Sequence, residues 1–300
     1  MNLIQLETFV RVAELGSFSK AALVLDTAQP ALSRQVRQLE TDLRVTLLER
    51  TGRGVVLTEA GKRLFEHSVG ILQLVARARE AVAASRDELV GRIVVGLPPS
   101  VGRDLALPLV ETFEKEWPKA RLAIVEGLSA HVSEWIATGR VDIGLVHNPE
   151  PQAAIETEPL HSEPLCLVSA PGKGRAGPRT PLLLADLPQF PLVIPERSQA
   201  IRRTLEAHCA LAGIKLNIAW EISSVPAILA LVRTGRGHAV LPHSAVAADE
   251  AAGVLRTRPL GDPPLVNTLC IATSATKKAT PLQRQVVRRL KELFAARQPA

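Results

Sequence analysis

The chain contains no tyrosine, and phenylalanine and tryptophan bring its aromatic content to only 3%. Proteins that hold single-stranded nucleic acid without sequence preference stack successive bases on aromatic rings, so that mode of binding is disfavoured. Cysteine is scarce as well. Cys166, Cys209 and Cys270 lie far apart and form no CxxC pair, which argues against a disulfide framework or a zinc motif and for buried, reduced thiols. No apolar run approaches membrane-spanning length and no secretory leader precedes Leu3, so the expectation is a cytoplasmic protein without a membrane partner. Repeats and low-complexity tracts are also missing. At 300 residues the chain has room for two or three domains and a large core.

The equipment of an enzyme is missing too. There are no paired carboxylates, no metal-ligand cluster and no phosphate cradle, so neither a cofactor nor a metal is expected. Ser17-x-x-Lys20 and Ser274-x-x-Lys277 match a short serine-lysine pattern without its companion motifs. Gly127-Leu128-Ser129-Ala130-His131 lacks the final glycine of a nucleophile elbow. Gly235-Arg236-Gly237 lacks the spacing of a nucleotide loop. The net charge of +6 does not by itself point to nucleic acid: residues 1–90 carry 12 basic against 11 acidic side chains, 91–276 carry 17 against 18, and 277–300 carry 7 against 1. That last segment also has an apolar stripe, Leu282, Val286, Val287, Leu290, Leu293 and Phe294, and reads as a helix with a solvated basic face.

What is there begins at the N-terminus. Phe18 to Leu39 reads as two short helices around a polar turn, Ala21, Ala22 and Leu25 facing inward on the first. Asp26-Thr27 compete for backbone hydrogen bonds, and Pro30, with fixed φ and no N–H, suits the first position of a new helix. Along that helix Leu32, Val36 and Leu39 face the core, leaving Gln29, Ala31, Ser33, Arg34 and Arg37 outward. Arg can bond guanine bidentately or hold phosphate, Gln can pair with adenine, and small residues permit close approach in the major groove. Leu3, Leu6, Phe9, Val10, Val12 and Ala13 supply a preceding helix that ends at Gly16 and completes a three-helix core. Leu47 to Arg50 and Val55 to Leu57 flank Thr51-Gly52-Arg53-Gly54 as two short strands around a turn, with Arg50 and Arg53 as candidate phosphate or minor-groove contacts.

The runs FVRVAELGSFSKAALVL, AQPALSRQVRQLE and LLERTGRGVVLTEAGKRL, in that order, resemble the N-terminal signature of LysR-type transcriptional regulators. The resemblance continues more weakly over the rest of the chain. It departs at Leu43-Arg44, where Leu-Gly is usual, and at Leu47-Leu48, where Leu-Phe is usual; both are packing or capping positions. The resemblance implies DNA contacts at Thr27, Gln29, Pro30, Ser33, Arg34 and Arg37, with Arg53 in the wing. It also implies a dimerising linker helix, a C-terminal domain like a two-lobed periplasmic binding protein, and a small organic effector, anionic in many members.

Glu59 to about Leu89 lacks proline and places Leu64, Ser68, Ile71, Val75, Ala78, Val82, Ser85 and Leu89 at alternating steps of four and three, a heptad-like seam. The stripe by itself fits a helix pair between subunits or a helix tucked on its own domain. From Gly91, strands alternate with helices, implying parallel α/β sheets. The expected lobes are 91–162 with 268–300, and 163–267. Ligands in such sheets bind beyond strand carboxyl ends, against helix N-termini. Ser100 and Val101, Ser129, His147, and Ser223 and Ser224 occupy such positions; the serines also suit helix caps, and His147 also suits a hydrogen-bonded structural role.

The expected architecture is therefore multidomain α/β: a winged helix-turn-helix (1–58), a linker helix (59–90) and an effector-binding domain (91–300). The expected function is a homodimeric or homotetrameric regulator that reads double-stranded promoter DNA, answers a small effector and meets RNA polymerase. The competing reading is a cytoplasmic small-molecule-binding protein or enzyme whose N-terminal helices serve only assembly.

Overall fold

The computed structural model describes residues 1–52, 54–83, 89–171 and 180–295, with residues 77 and 79–83 described by their backbone alone. Three helices open the chain: α1 (Leu3–Leu15), α2 (Phe18–Val24) and α3 (Gln29–Leu43). Asn2 and Gln5 form a reciprocal capping box at the start of α1, and Gly16 ends it with φ 59°. Such a box satisfies two orphaned backbone donors at once. Ser17 caps α2, while Pro30 stands within the first two positions of α3. Leu6, Phe9, Val10, Val12, Ala21, Leu32, Val36 and Leu39 form one buried cluster, and Thr8 donates to the Gln35 side chain at 2.8 Å. The three-helix core thus has the inward faces that the spacing indicates.

The wing is an antiparallel hairpin of β1 (Leu48–Thr51) and β2 (Gly54–Leu57). Glu40 pins its approach: the amides of Leu47 and Leu48 donate to its Oε1 at 2.8 and 3.2 Å. Arg44 ends α3 in the left-handed region, φ 55°, which explains why glycine is usual there.

Helix α4 (Glu59–Ala83) follows. The Gly61 amide donates to Thr58 Oγ1 at 2.9 Å, and a Cβ at Gly61 would run into the Leu47 carbonyl oxygen, so the helix lies directly on the wing's backbone. Leu64, Phe65, Val69 and Leu72 pack on the head cluster. The expected seam is therefore divided. Leu64 and Ser68 turn into their own chain, Val75 is half-buried, and Ile71 and Ala78 are exposed. Leu89 leaves the seam and packs against the core of the next domain; the Val82 side chain and Ser85 lie outside the described residues.

The remaining chain runs β3 (Gly91–Leu97), α5 (Pro99–Glu116), β4 (Ala120–Glu126), α6 (Ser129–Thr138), β5 (Ile143–His147), β6 (Ile155–Ser169), β7 (Leu192–Ile194), α7 (Ala200–Leu211), β8 (Ile218–Glu221), α8 (Val225–Arg233), β9 (Ala239–Pro242), α9 (Ala247–Ala251), β10 (Arg256–Pro259), β11 (Val266–Ser274) and α10 (Pro281–Ala295). The expectation of parallel sheets is only partly correct. β3 pairs in parallel with β4 and β5, and β7 with β8. β11, however, lies antiparallel to both β5 and β6, and β6 is antiparallel to β9 and β10. β5 runs on to β6, and β10 to β11, without a helix between them, so these steps are not the crossovers that parallel strands require.

α5 and α10 cover one face of the β3–β4–β5–β11 sheet through Leu105, Leu109, Phe113, Leu282, Val286 and Leu290. Val132 and Ile136 of α6 cover the other. The second lobe has its own clusters, around Leu165, Leu167, Ile194 and Leu205 and around Val168, Ile228, Val232 and Leu241. Strand β6 belongs to both: residues 155–164 pair with β11, and 165–169 with β9 and β10.

Arg44 carries a measurable cost. Arg44→Gly is expected to raise unfolding free energy by about 1 kcal/mol, the left-handed strain relieved outweighing the entropy that glycine adds to the unfolded chain; denaturant melts of the two proteins check it.

Candidate functional site

The first candidate surface is the outer face of α3. Leu32, Val36 and Leu39 are buried, whereas Thr27, Gln29, Pro30, Arg34 and Arg37 are exposed and Ser33 is half-buried. Ala28, at the N-cap of α3, provides no side-chain cap, so the positive end of the helix macrodipole is uncompensated by its own chain and suits a phosphate. Arg50 is exposed on β1 with its guanidinium 5.5 Å from the centroid of the Phe18 ring, beside the start of α2. Arg53 lies outside the described residues.

The second candidate site lies where the lobes meet. Ser129 is not the cap of α6, as its place in the sequence allows: Leu128 is the N-cap and gives no side-chain bond, while the His147 amide donates to Ser129 Oγ at 2.9 Å. The hydroxyl proton is left to donate elsewhere. Ser100 is exposed in the first turn of α5, but Val101 packs its side chain on the lobe core and its amide donates to the Pro98 carbonyl at 2.9 Å, so it shapes the loop instead of offering a ligand a donor. Ser224 is the N-cap of α8 without a side-chain bond, and the Ser223 carbonyl accepts from Gln199 Nε2 at 2.6 Å. That bond ties the starts of α7 and α8 together.

His147 is a structural histidine here. Asn267 Nδ2 donates to its Nδ1 at 3.0 Å, and desolvation in this enclosed position lowers its pKa from 6.5 to about 4, so the ring is neutral near pH 7. Asn267 is buried and its Oδ1 accepts from Asn148 Nδ2, which also donates to Thr204 Oγ1 on α7 at 3.0 Å. The Thr268 amide donates to Asn148 Oδ1 at 2.8 Å. Asn148 adopts φ 43°, a conformation asparagine tolerates better than most residues. Thr204, Asn267 and Gln199 are the residues that sequence reasoning missed, whereas Asn148 closes the strand end where His147 is expected to face the cleft. Asn148 has a faint signal, an Asn-Pro pair closing a strand; the other three have none, because their partners are distant in sequence. Arg203 of α7 reaches Glu150 at 3.7 Å, a second contact between lobes. Two open depressions of about 380 and 330 Å³ lie elsewhere, along α5 and β4 and between β6, β11 and α10, and contain none of these groups.

All three cysteines are free and buried. Burial pushes the Cys166 thiol up to about 11, with Glu250 and Glu163 adding to the effect; burial also raises Cys209 and Cys270. Among the described residues, no cluster of three or more His, Cys, Asp or Glu is arranged to hold a metal ion, and no helix is long and apolar enough to cross a membrane.

Comparison with known proteins decides the family. Residues 3–62 match the family described as "Bacterial regulatory helix-turn-helix protein, lysR family", and residues 86–295 match "LysR substrate binding domain". The chain is a LysR-type transcriptional regulator. It is 34% identical over 246 residues to the nitrogen assimilation regulatory protein nac of Klebsiella aerogenes, covering 82% of this chain and 79% of that one. A full-length OxyR variant from Pseudomonas aeruginosa superposes with TM-score 0.71 at 25% identity, covering 98% of this chain and 94% of that one. Full-length CbnR complexed with its target DNA gives TM-score 0.54 at 25% identity, covering 98% and 100%. As a LysR-type regulator the chain binds DNA through its N-terminal head and carries an effector-binding domain. The matched families are regulators rather than enzymes, which removes the competing reading.

Two outcomes follow from the buried groups. Folded His147 takes up a proton less readily than the unfolded chain does, since its folded pKa is the lower one. Its contribution to stability is therefore full above pH 6.5, declines as pH falls to about 4, and amounts to about 3 kcal/mol across that window. His147→Gln should flatten the stability profile between pH 7 and 5 in thermal melts. The thiols should resist a disulfide-exchange reagent in the native protein at pH 8 and react, all three, only in denaturant.

Proposed function

We propose that this regulator reads a dyad-symmetric operator through Thr27, Gln29, Pro30, Ser33, Arg34 and Arg37, with Arg50 and Arg53 of the wing on the flanking backbone. The observation that carries this reading is the exposure of Arg34 and Arg37 on α3 opposite Leu32, Val36 and Leu39. The head corresponds to residues 1–58, the linker to 59–90 and the effector domain to 91–300, with lobes at 91–162 plus 268–300 and at 163–267. A homodimer, or a homotetramer built from dimers, presents two recognition helices at once; the exposed Ile71, Leu74 and Ala78 of α4 support a partner helix there.

The effector is a small organic anion held between the lobes by Ser100, Ser129, Ser223 and Ser224, with Val101 anchoring the first of these loops on the core and His147 fixing the Ser129 loop. Supporting this, α5, α6, α7 and α8 all begin without a side-chain cap, which leaves backbone N–H groups for a ligand. The raised cysteine pKa values weigh against oxidant sensing through a thiolate. Effector binding biases lobe closure and, through it, the spacing of the heads, as an equilibrium between preexisting arrangements. The protein works in the cytoplasm, on promoter DNA that RNA polymerase also occupies.

The test is fluorescence anisotropy on a labelled duplex from the region upstream of its own gene, with excess nonspecific competitor and a salt series. Binding should survive competitor and weaken with salt. Arg34→Ala and Arg37→Ala should each cost about ten- to hundredfold in affinity; undiminished affinity in both variants would remove α3 from the interface.

A further inference from the structure

Helix α6 has its two ends in two different places. Its first residue, Ser129, accepts the amide proton of His147 where the lobes meet. Its C-terminal end is laid on α4: a Cβ at Gly70 would collide with the Thr138 carbonyl oxygen, so helix and carbonyl are in direct contact. Arg140, just beyond α6, donates two hydrogen bonds to the Glu66 carboxylate of α4, at 2.9 and 3.1 Å. With its amide oriented so that nitrogen faces the two carbonyls, the assignment that satisfies both of its polar atoms, Gln73 of α4 donates to the Arg140 and Gly139 carbonyls at 2.8 and 3.0 Å.

Trp135 bridges the two ends. Its ring fills the space over Gly127, where a Cβ would strike the ring carbons, and the Arg140 guanidinium lies 4.4 Å from a ring centroid. His131 stacks on the same ring at 6.1 Å. The chain of contact therefore runs from the Gly127-Leu128-Ser129 loop through Trp135 to Arg140 and then to Glu66, without a gap. Glycine-on-carbonyl contacts leave no slack, and close-packed groups transmit displacement rather than absorbing it.

We propose that α6, with Trp135 wedged along it, is the lever through which occupancy of the cleft at Ser129 displaces α4, the helix that carries the DNA-binding head. The proposal rests on the reading that the effector binds beside Ser129. A 10-residue helix spans about 15 Å, so a tilt at its first turn becomes a shift of comparable size at Thr138. Gly139, with φ 81°, ends the helix at the clamp and keeps the lever short. Glu66 and Arg140 are positioning residues; neither meets DNA or the effector.

Hydrogen exchange of the full chain, with neither DNA nor effector present, separates a lever from a static clamp. Wild type, Ser129→Ala, Glu66→Gln and the double variant are compared at the amides of residues 66–76. Ser129→Ala should change exchange there by about threefold or more, although Ser129 does not belong to α4, and Glu66→Gln should abolish that response. Arg140→Lys, which keeps the charge and loses the planar guanidinium that lies over Trp135, repeats the second arm independently. Unchanged α4 exchange in Ser129→Ala overturns the proposal and leaves a static clamp. A Ser129 response that persists in the double variant also overturns it, because the route then bypasses Glu66. Since the assay uses no ligand, its failure removes the lever and leaves the reading of an effector beside Ser129 intact, which ligand binding to wild type and Ser129→Ala tests separately.

Discussion

Gly61 and Gly70 let α4 rest on backbone carbonyls at two levels, that of Leu47 beside the wing and that of Thr138 in the first lobe. Glycine within a helix costs about 1 kcal/mol relative to alanine, and α4 bears that cost twice. What it gains is contact on two sides by one rigid element. Its N-terminal half completes the head cluster through Leu64, Phe65, Val69 and Leu72, and its middle is held to α6. Head and effector domain are thus joined by packing as well as by chain connectivity, and Ser68, fully buried with no hydrogen-bond partner for its hydroxyl, lies between the two contacts. A bulkier residue at Gly61 would lift α4 off the head's own cluster, whereas one at Gly70 would part α4 from the first lobe.

The helix ends divide by purpose. Asn2 and Ser17 cap α1 and α2, which have to hold the head together and have no ligand to meet. α3 begins uncapped at the proposed DNA face, and α5 to α8 begin uncapped in the effector domain. A missing cap costs about 1 kcal/mol, and its recurrence in these helices fits ends reserved for phosphate or an anionic effector.

The head was legible in sequence because its structure is local. Leu32, Val36 and Leu39 repeat at helical spacing, Gly52 and Gly54 mark a tight hairpin, and the departure at Arg44 falls where the backbone turns left-handed. The effector domain was less legible because its sheet depends on distant pairings. β10, half-buried throughout, has no alternation to betray it, and the antiparallel return of β11 between β5 and β6 leaves no local mark. The seam of α4 left two readings open for a related reason: a stripe reports that a face is covered without saying by what, and at Leu64 and Ser68 the cover is the same chain. His147 was visible as a polar group at a strand end, but its role depends on Asn267, 120 residues away. Val101 follows a strand end as expected, but its side chain packs on the lobe core and its amide is bonded to Pro98.

Strand β6 runs unbroken from Ile155 to Ser169 and exchanges partners between Pro164 and Leu165. The lobes accordingly share a stretch of hydrogen-bonded ribbon, with β11 running alongside and a register shift between Leu269 and Cys270. Such a ribbon resists bending in its own plane, where every ladder bond would stretch, and yields to twisting about its length, which strands do readily. Motion of one lobe against the other is then favoured as a torsion, with the ribbon as its spring and the unpaired Leu160 of β6, opposite Leu269 and Cys270, as the place where the ladder is interrupted. An effector bound between the lobes, as proposed, would work against this stiffness, and its release would return the chain to its resting angle.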